Sequence, residues 1–171
     1  ISGKVKQVTK GKFDIDRVSG YESEAGEIYF TAGKDHPTQR DLYAVSASSG
    51  KYRKITYGNG KGWVDVSAFP SMTKYIKKKS SLNEVPVYEL IDHSGKVLNI
   101  LETNEALHDK TDTYNLGSMQ PVSFRAADDT TMLYGWVIYP PDFKETDKYP
   151  VLMYQYSGPG SQEVRDAFPL G

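Results

Sequence analysis

The chain has 171 residues, 38% of them hydrophobic and 25% charged, with a formal net charge of −1, which suits one globular domain or parts of two. With no basic excess, nucleic acid and anionic membrane are poor candidates as partners, and no apolar run approaches the roughly 20 residues of a membrane helix. Zero cysteine removes a disulfide framework and any thiolate metal site.

The first ten residues lack the basic start and long apolar middle of a secretory signal. They do not begin with Met, and residues 167–171 end on apolar text. Both ends therefore read as cuts from a longer protein.

Period-2 alternation dominates, and nothing up to residue 104 carries a persuasive 3.6-residue stripe. Thirteen tyrosines, with frequent Val, Ile and Thr, point to strands. Residues 18–21 open a first unit. The run 27–31 follows and is closed by Gly33 and the Asp35-His36-Pro37 turn. Residues 41–45 come next, then a Ser-Ser-Gly turn, then 52–56. The same order recurs with 66–69, 74–77, 86–91, a turn at His93-Ser94-Gly95-Lys96, and 97–101.

Tyr43 and Tyr88 lie 45 residues apart, as do Gly50-Lys51 and Gly95-Lys96, while 18–21 and 66–69 are 48 apart. A period near 45 with about four strands per unit is the signature of β-propeller blades. The plainer alternative is two hairpins that look alike because strand grammar is repetitive. Two blades cannot close a ring that uses about 4–8, which again suggests a fragment.

From 104 to 117 the text is polar, a short helix or loop connecting two modules. Residues 120–126 and 131–139 flank Asp128-Asp129-Thr130 as a hairpin, and Pro140-Pro141 stops its second strand. The run 151–156, Val-Leu-Met-Tyr-Gln-Tyr, is apolar on both faces, as a strand covered on both sides should be. A Ser-Gly-Pro-Gly-Ser turn ends it. A hairpin followed by such a strand is how an α/β-hydrolase sheet opens, although other α/β sheets could begin this way.

The expected fold is therefore mainly β: an incomplete β-propeller of about two blades, then the first strands of an α/β-hydrolase domain. The expected division is 1–104 for the blades, 105–118 for a connector and 119–171 for the truncated hydrolase domain.

The stretch from Trp136 to Phe143 and the run from Lys148 to Val164 resemble the start of the catalytic domain in the prolyl oligopeptidase clan. Within them, Tyr-Ser-Gly-Pro-Gly-Ser-Gln at 156–162 is similar to the dipeptidyl peptidase IV family, especially its bacterial forms. The resemblance extends upstream to Arg40-Asp-Leu-Tyr, Val87-Tyr-Glu-Leu and the Leu101-Glu-Thr-Asn-Glu-Ala-Leu segment. It implies an eight-bladed propeller capping an α/β-hydrolase, and a Ser-Asp-His triad that releases N-terminal Xaa-Pro or Xaa-Ala dipeptides through an acyl-enzyme.

The resemblance also makes Tyr156 the catalytic phenol of the oxyanion hole. The loop after the third hydrolase strand is where such sheets present an oxyanion donor. From the residues alone, Tyr156 reads as a strand cap that hydrogen-bonds locally. Gly158 and Gly160 are turn residues that allow positive φ and close backbone approach.

No Gly-x-Ser-x-Gly elbow occurs, and Ser157 and Ser161 sit in a turn of the wrong pattern for a nucleophile. The resemblance puts the triad beyond residue 171, so the fragment itself is inactive. His36, His93 and His108 read as solvated turn and connector residues. Asp128-Asp129 reads as a turn, and Lys77-Lys78-Lys79 as a wet strand edge. No metal-ligand spacing occurs, and no cofactor is called for.

The resemblance implies peptide substrates, a homodimeric parent and a periplasmic or cell-surface site. Open blade edges and an uncovered run at 151–156 imply that the fragment self-associates. Tripeptidyl or acylaminoacyl peptidases of the same clan, and a non-catalytic propeller module, are the competing readings.

Overall fold

The structure is a computed structural model describing residues 3–56, 61–114, 116–156, 158 and 160–169. Strands β1 (Ile15–Glu22), β2 (Glu27–Ala32), β3 (Asp41–Ser46) and β4 (Tyr52–Lys54) form one antiparallel meander. Strands β5 (Trp63–Ala68), β6 (Lys74–Ser81), β7 (Glu84–Asp92) and β8 (Val97–Glu102) form a second. Helix α1 (Glu105–Thr113) follows, then a two-stranded hairpin of β9 (Met119–Arg125) and β10 (Met132–Ile138). The mainly β, antiparallel architecture and the four-strand repeat are those the spacing implies.

Strand periodicity explains the core. Tyr29, Leu42 and Ala44 point from the first sheet toward the second, where they meet Val64, Tyr75 and Ile91. The alternate residues Phe30, Tyr43 and Val45 point the other way and are covered by Val8 and Phe13 of the N-terminal segment. That is why β2 and β3 are buried on both faces.

The seam between the sheets is polar at its margins. Val64 N–H donates to the Arg40 carbonyl at 3.0 Å. Arg53 holds Glu27 through two nitrogens, at 2.9 and 3.3 Å, and reaches the His93 carbonyl at 3.2 Å. The Arg53 guanidinium keeps the Glu27 carboxyl below its usual range. Burial, with the bond to Glu27, pushes the Tyr29 phenol up to about 12.

The glycine turns of the repeat are equivalent, with φ of 72° at Gly50 and 92° at Gly95. The tyrosines are not. Tyr43 pairs with Phe30 on the face away from the second sheet. Tyr88 pairs with Lys78 on the face alternate to Tyr75 and Ile91, away from the first. β6 and β7 pair without a break from Lys74 and Asp92 to Lys79 and Val87, so the 45-residue spacing lands Tyr88 one position away from the structural counterpart of Tyr43. A one-residue offset reverses the face.

Gly95 shows how closely the seam is fitted. A Cβ there would lie 2.0 Å from the Ile55 carbonyl oxygen, on a backbone already at positive φ. Gly95→Ala therefore costs about 3 kcal/mol, the sum of backbone strain and overpacking against main chain that cannot rotate away. Urea titration should show the loss as a lower midpoint at unchanged slope.

Two expectations are corrected. Lys77, Lys78 and Lys79 lie in β6, between β5 and β7, and not on an edge. They are half-buried, and Lys77 forms an ion pair with Glu89 directly across from it. Asp65 stands across from Lys78, while Lys79 lies between Val64 and Val87. Second, residues 151–156 form no strand. No ladder partner lies beside them among the described residues, and Val151, Leu152 and Met153 are 84–97% exposed. A strand needs paired backbone groups on at least one side, and apolar character alone does not supply them.

Candidate functional site

Tyr156 closes this unpaired run with its ring 59% exposed. The ring lies over Gly158. A Cβ at that position would fall 2.6 Å from the phenolic oxygen and 2.8 Å from Cζ. Glycine is thus needed at 158 for close approach. Gly160 then turns the chain at φ +77°, and Ser161 N–H donates to the Gly158 carbonyl at 3.1 Å. Ser157 lies outside the described residues; the Ser161 hydroxyl donates to the Glu163 carboxylate at 2.9 Å within the turn.

Beyond the turn, the chain docks onto the end of the inter-sheet seam. The Gln162 amide donates to the Pro37 carbonyl at 2.7 Å and accepts from Arg40. Asp166 is the centre of the contact. One carboxylate oxygen accepts from Gly62 N–H at 2.8 Å and from the Gln39 amide at 3.2 Å; the other accepts from Leu82 N–H at 3.2 Å. Its own N–H donates to the Thr38 carbonyl at 2.8 Å. Phe168 N–H donates to the Ser80 hydroxyl at 3.2 Å.

The Arg40 and Arg165 guanidinium groups lie over the Trp63 ring, 4.5 and 5.2 Å from its centroid. Arg40 is buried, and its Nε sits 3.6 Å from the Asp16 carboxylate, an ion pair beyond hydrogen-bonding reach. A cleft of about 480 Å3 opens beside this contact, walled by Trp63, Lys78, Trp136, Arg165 and Phe168.

None of Gln39, Arg40, Gln162 or Asp166 stands out in the sequence as a site residue. Their partners are 84 to 127 positions away, so no local spacing could have announced them.

The remaining candidates are scattered. His93 and His108 are exposed, as expected. His36 is not solvated: it is half-buried, bonds to the Thr38 hydroxyl at 2.8 Å and meets the Tyr134 ring edge-on at 4.9 Å. The β9–β10 hairpin covers it. Asp128 accepts from the Thr131 hydroxyl and from the backbone N–H groups of Thr131 and Thr130, which hold its carboxyl down at about 2. With Asp129 at φ 55°, the pair is a turn device.

Comparison with known proteins places these features. The sequence profile described as "Dipeptidyl peptidase IV (DPP IV) N-terminal region" matches residues 1–86, half of the chain. Dipeptidyl peptidase 4 of Trichophyton equinum is 30% identical over 168 residues, covering 97% of this chain and 21% of that protein. The crystal structure of Porphyromonas gingivalis dipeptidyl peptidase 4 superposes with a TM-score of 0.87 at 28% identity, covering 97% of this chain and 23% of that one. The chain thus spans about a fifth of the length of the curated relatives it matches. It belongs to the family of the dipeptidyl peptidase IV N-terminal region.

Proposed function

We propose that this chain is part of a serine exopeptidase that releases Xaa-Pro and Xaa-Ala dipeptides from peptide N-termini through an acyl-enzyme. In this reading residues 1–104 are the last blades of a propeller, 105–118 a connector and 119–171 the beginning of an α/β-hydrolase domain. The nucleophilic serine and its His and Asp partners belong to the protein beyond residue 171. Attack on the scissile carbonyl moves charge onto its oxygen, and the Tyr156 hydroxyl donates a hydrogen bond to that oxyanion. A preoriented donor needs no reorganisation at the moment of reaction. The enzyme is read as a homodimer acting in the periplasm or at the cell surface.

One observation carries the proposal. The likeness to the P. gingivalis dipeptidyl peptidase covers 97% of the chain and so continues past the two sheets, into the stretch that bears Tyr156. Reporter hydrolysis by the full-length protein tests it. Gly-Pro reporters should turn over, while Ala-Ala-Pro and acetyl-Ala reporters should lag by at least about tenfold in kcat/KM. Preference for either of the latter moves the assignment to a tripeptidyl or acylaminoacyl peptidase. No hydrolysis of any of them would leave a binding module.

The closeness of Gly158 to Tyr156 gives a second expectation. Gly158→Ala should push the phenol aside by about an ångström and lower kcat about 10- to 100-fold. Because the ring is largely exposed, it can swing out, and the melting temperature should stay within a degree or two. Steady-state kinetics beside a thermal melt separates the two effects.

A further inference from the structure

The docked segment at 162–168 does more than close the surface. Residues 151–156 have no strand partner to hold them among the described residues. Among the described residues on the C-terminal side of Tyr156, the first bonded to the two-sheet unit is Gln162, held by Pro37 and Arg40, followed by Asp166. The Asp166 carboxylate gathers donors from three separate places: the Gln39 side chain before β3, Gly62 just before β5, and Leu82 between β6 and β7. A single group therefore reads the relative position of both sheets. Charge-assisted bonds to backbone N–H groups are among the stronger and more geometrically fixed contacts available.

We infer that Asp166, with Gln162, is a positioning latch by which the seam between the two sheets sets the place of the Tyr156 hydroxyl. The inference rests on the oxyanion role proposed for Tyr156. Asp166 itself touches no substrate and acts only through the segment it holds.

The test is a double-mutant cycle in the full-length protein with a Gly-Pro reporter. Asp166→Ala should lower kcat about 10- to 100-fold with KM little changed, as expected for a donor displaced by about an ångström. In a Tyr156→Phe background the same change should cost less than about twofold, since the group it positions is already absent. If Asp166→Ala misfolds by circular dichroism, Gln39→Ala removes one of the three donors and should show the same non-additivity with a smaller fall.

Full kcat in Asp166→Ala, or losses that multiply with those of Tyr156→Phe, would overturn the latch and leave the oxyanion role standing. Full activity in Tyr156→Phe alone would remove the oxyanion role, and the latch with it.

Discussion

Replacing Tyr75 by alanine lowers the stability of the two-sheet unit by about 3–5 kcal/mol, the cost of truncating a fully buried aromatic. Tyr75 is 0% exposed and lies in the core shared by both sheets, with its ring 5.5 Å from that of Tyr29. Its hydroxyl donates to the Met72 carbonyl at 2.8 Å. Met72 is a buried, non-glycine residue at φ 56°, a conformation that costs about 1–2 kcal/mol. The Tyr75 hydroxyl and the fit of the Met72 side chain under Gly20, where a Cβ would meet Sδ at 2.6 Å, offset that strain.

Alanine removes both the packing and the restraint, and the seam loses its centre. Tyr75→Phe keeps the packing and should cost only about 1 kcal/mol. Thermal melts of the three proteins should rank wild type, then Phe, then Ala, with the last roughly 10 °C below the first. Equal losses for Phe and Ala would mean that the hydroxyl, and not the packed ring, holds the seam.

On the role proposed for Tyr156, its replacement by Phe is the other large effect, and its signature is kinetic. Removing one oxyanion-hole donor costs about 2.7–4 kcal/mol in the transition state, or about 10²–10³ in kcat. The substitution deletes a single oxygen from a ring that is 59% exposed, so the fold should not register it. KM should hold, because the bond to the oxygen is made only as charge develops there. Measured on a Gly-Pro reporter, a rise in KM with kcat unchanged would place Tyr156 in substrate binding and outside the chemistry.

How much of this could be read from the sequence depends on the range of each interaction. The blades were legible because strand alternation and turn chemistry are local. Gly50 and Gly95 mark equivalent turns, and the order of eight strands follows from them. The equivalence of Tyr43 and Tyr88 was not: both point away from the shared seam, whereas equivalent positions in successive sheets would put one of them toward it, and no residue type announces that one-residue offset.

The lysines at 77–79 misled for a related reason. Their charge suggests an edge, but Glu89 and Asp65 stand across the ladder from Lys77 and Lys78. The run 151–156 has the composition of a buried strand, but no ladder partner stands beside it among the described residues. Asp166 was invisible: it is one acid among many until the fold brings Gly62, Leu82 and Gln39 to it.

Determining the structure of the full-length protein with a dipeptide boronate bound as a tetrahedral adduct tests the oxyanion role most directly. The account predicts the Tyr156 hydroxyl about 2.7–3.1 Å from the boronate oxygen that stands for the oxyanion. A phenol turned away from that oxygen, with other donors filling the hole, would contradict it.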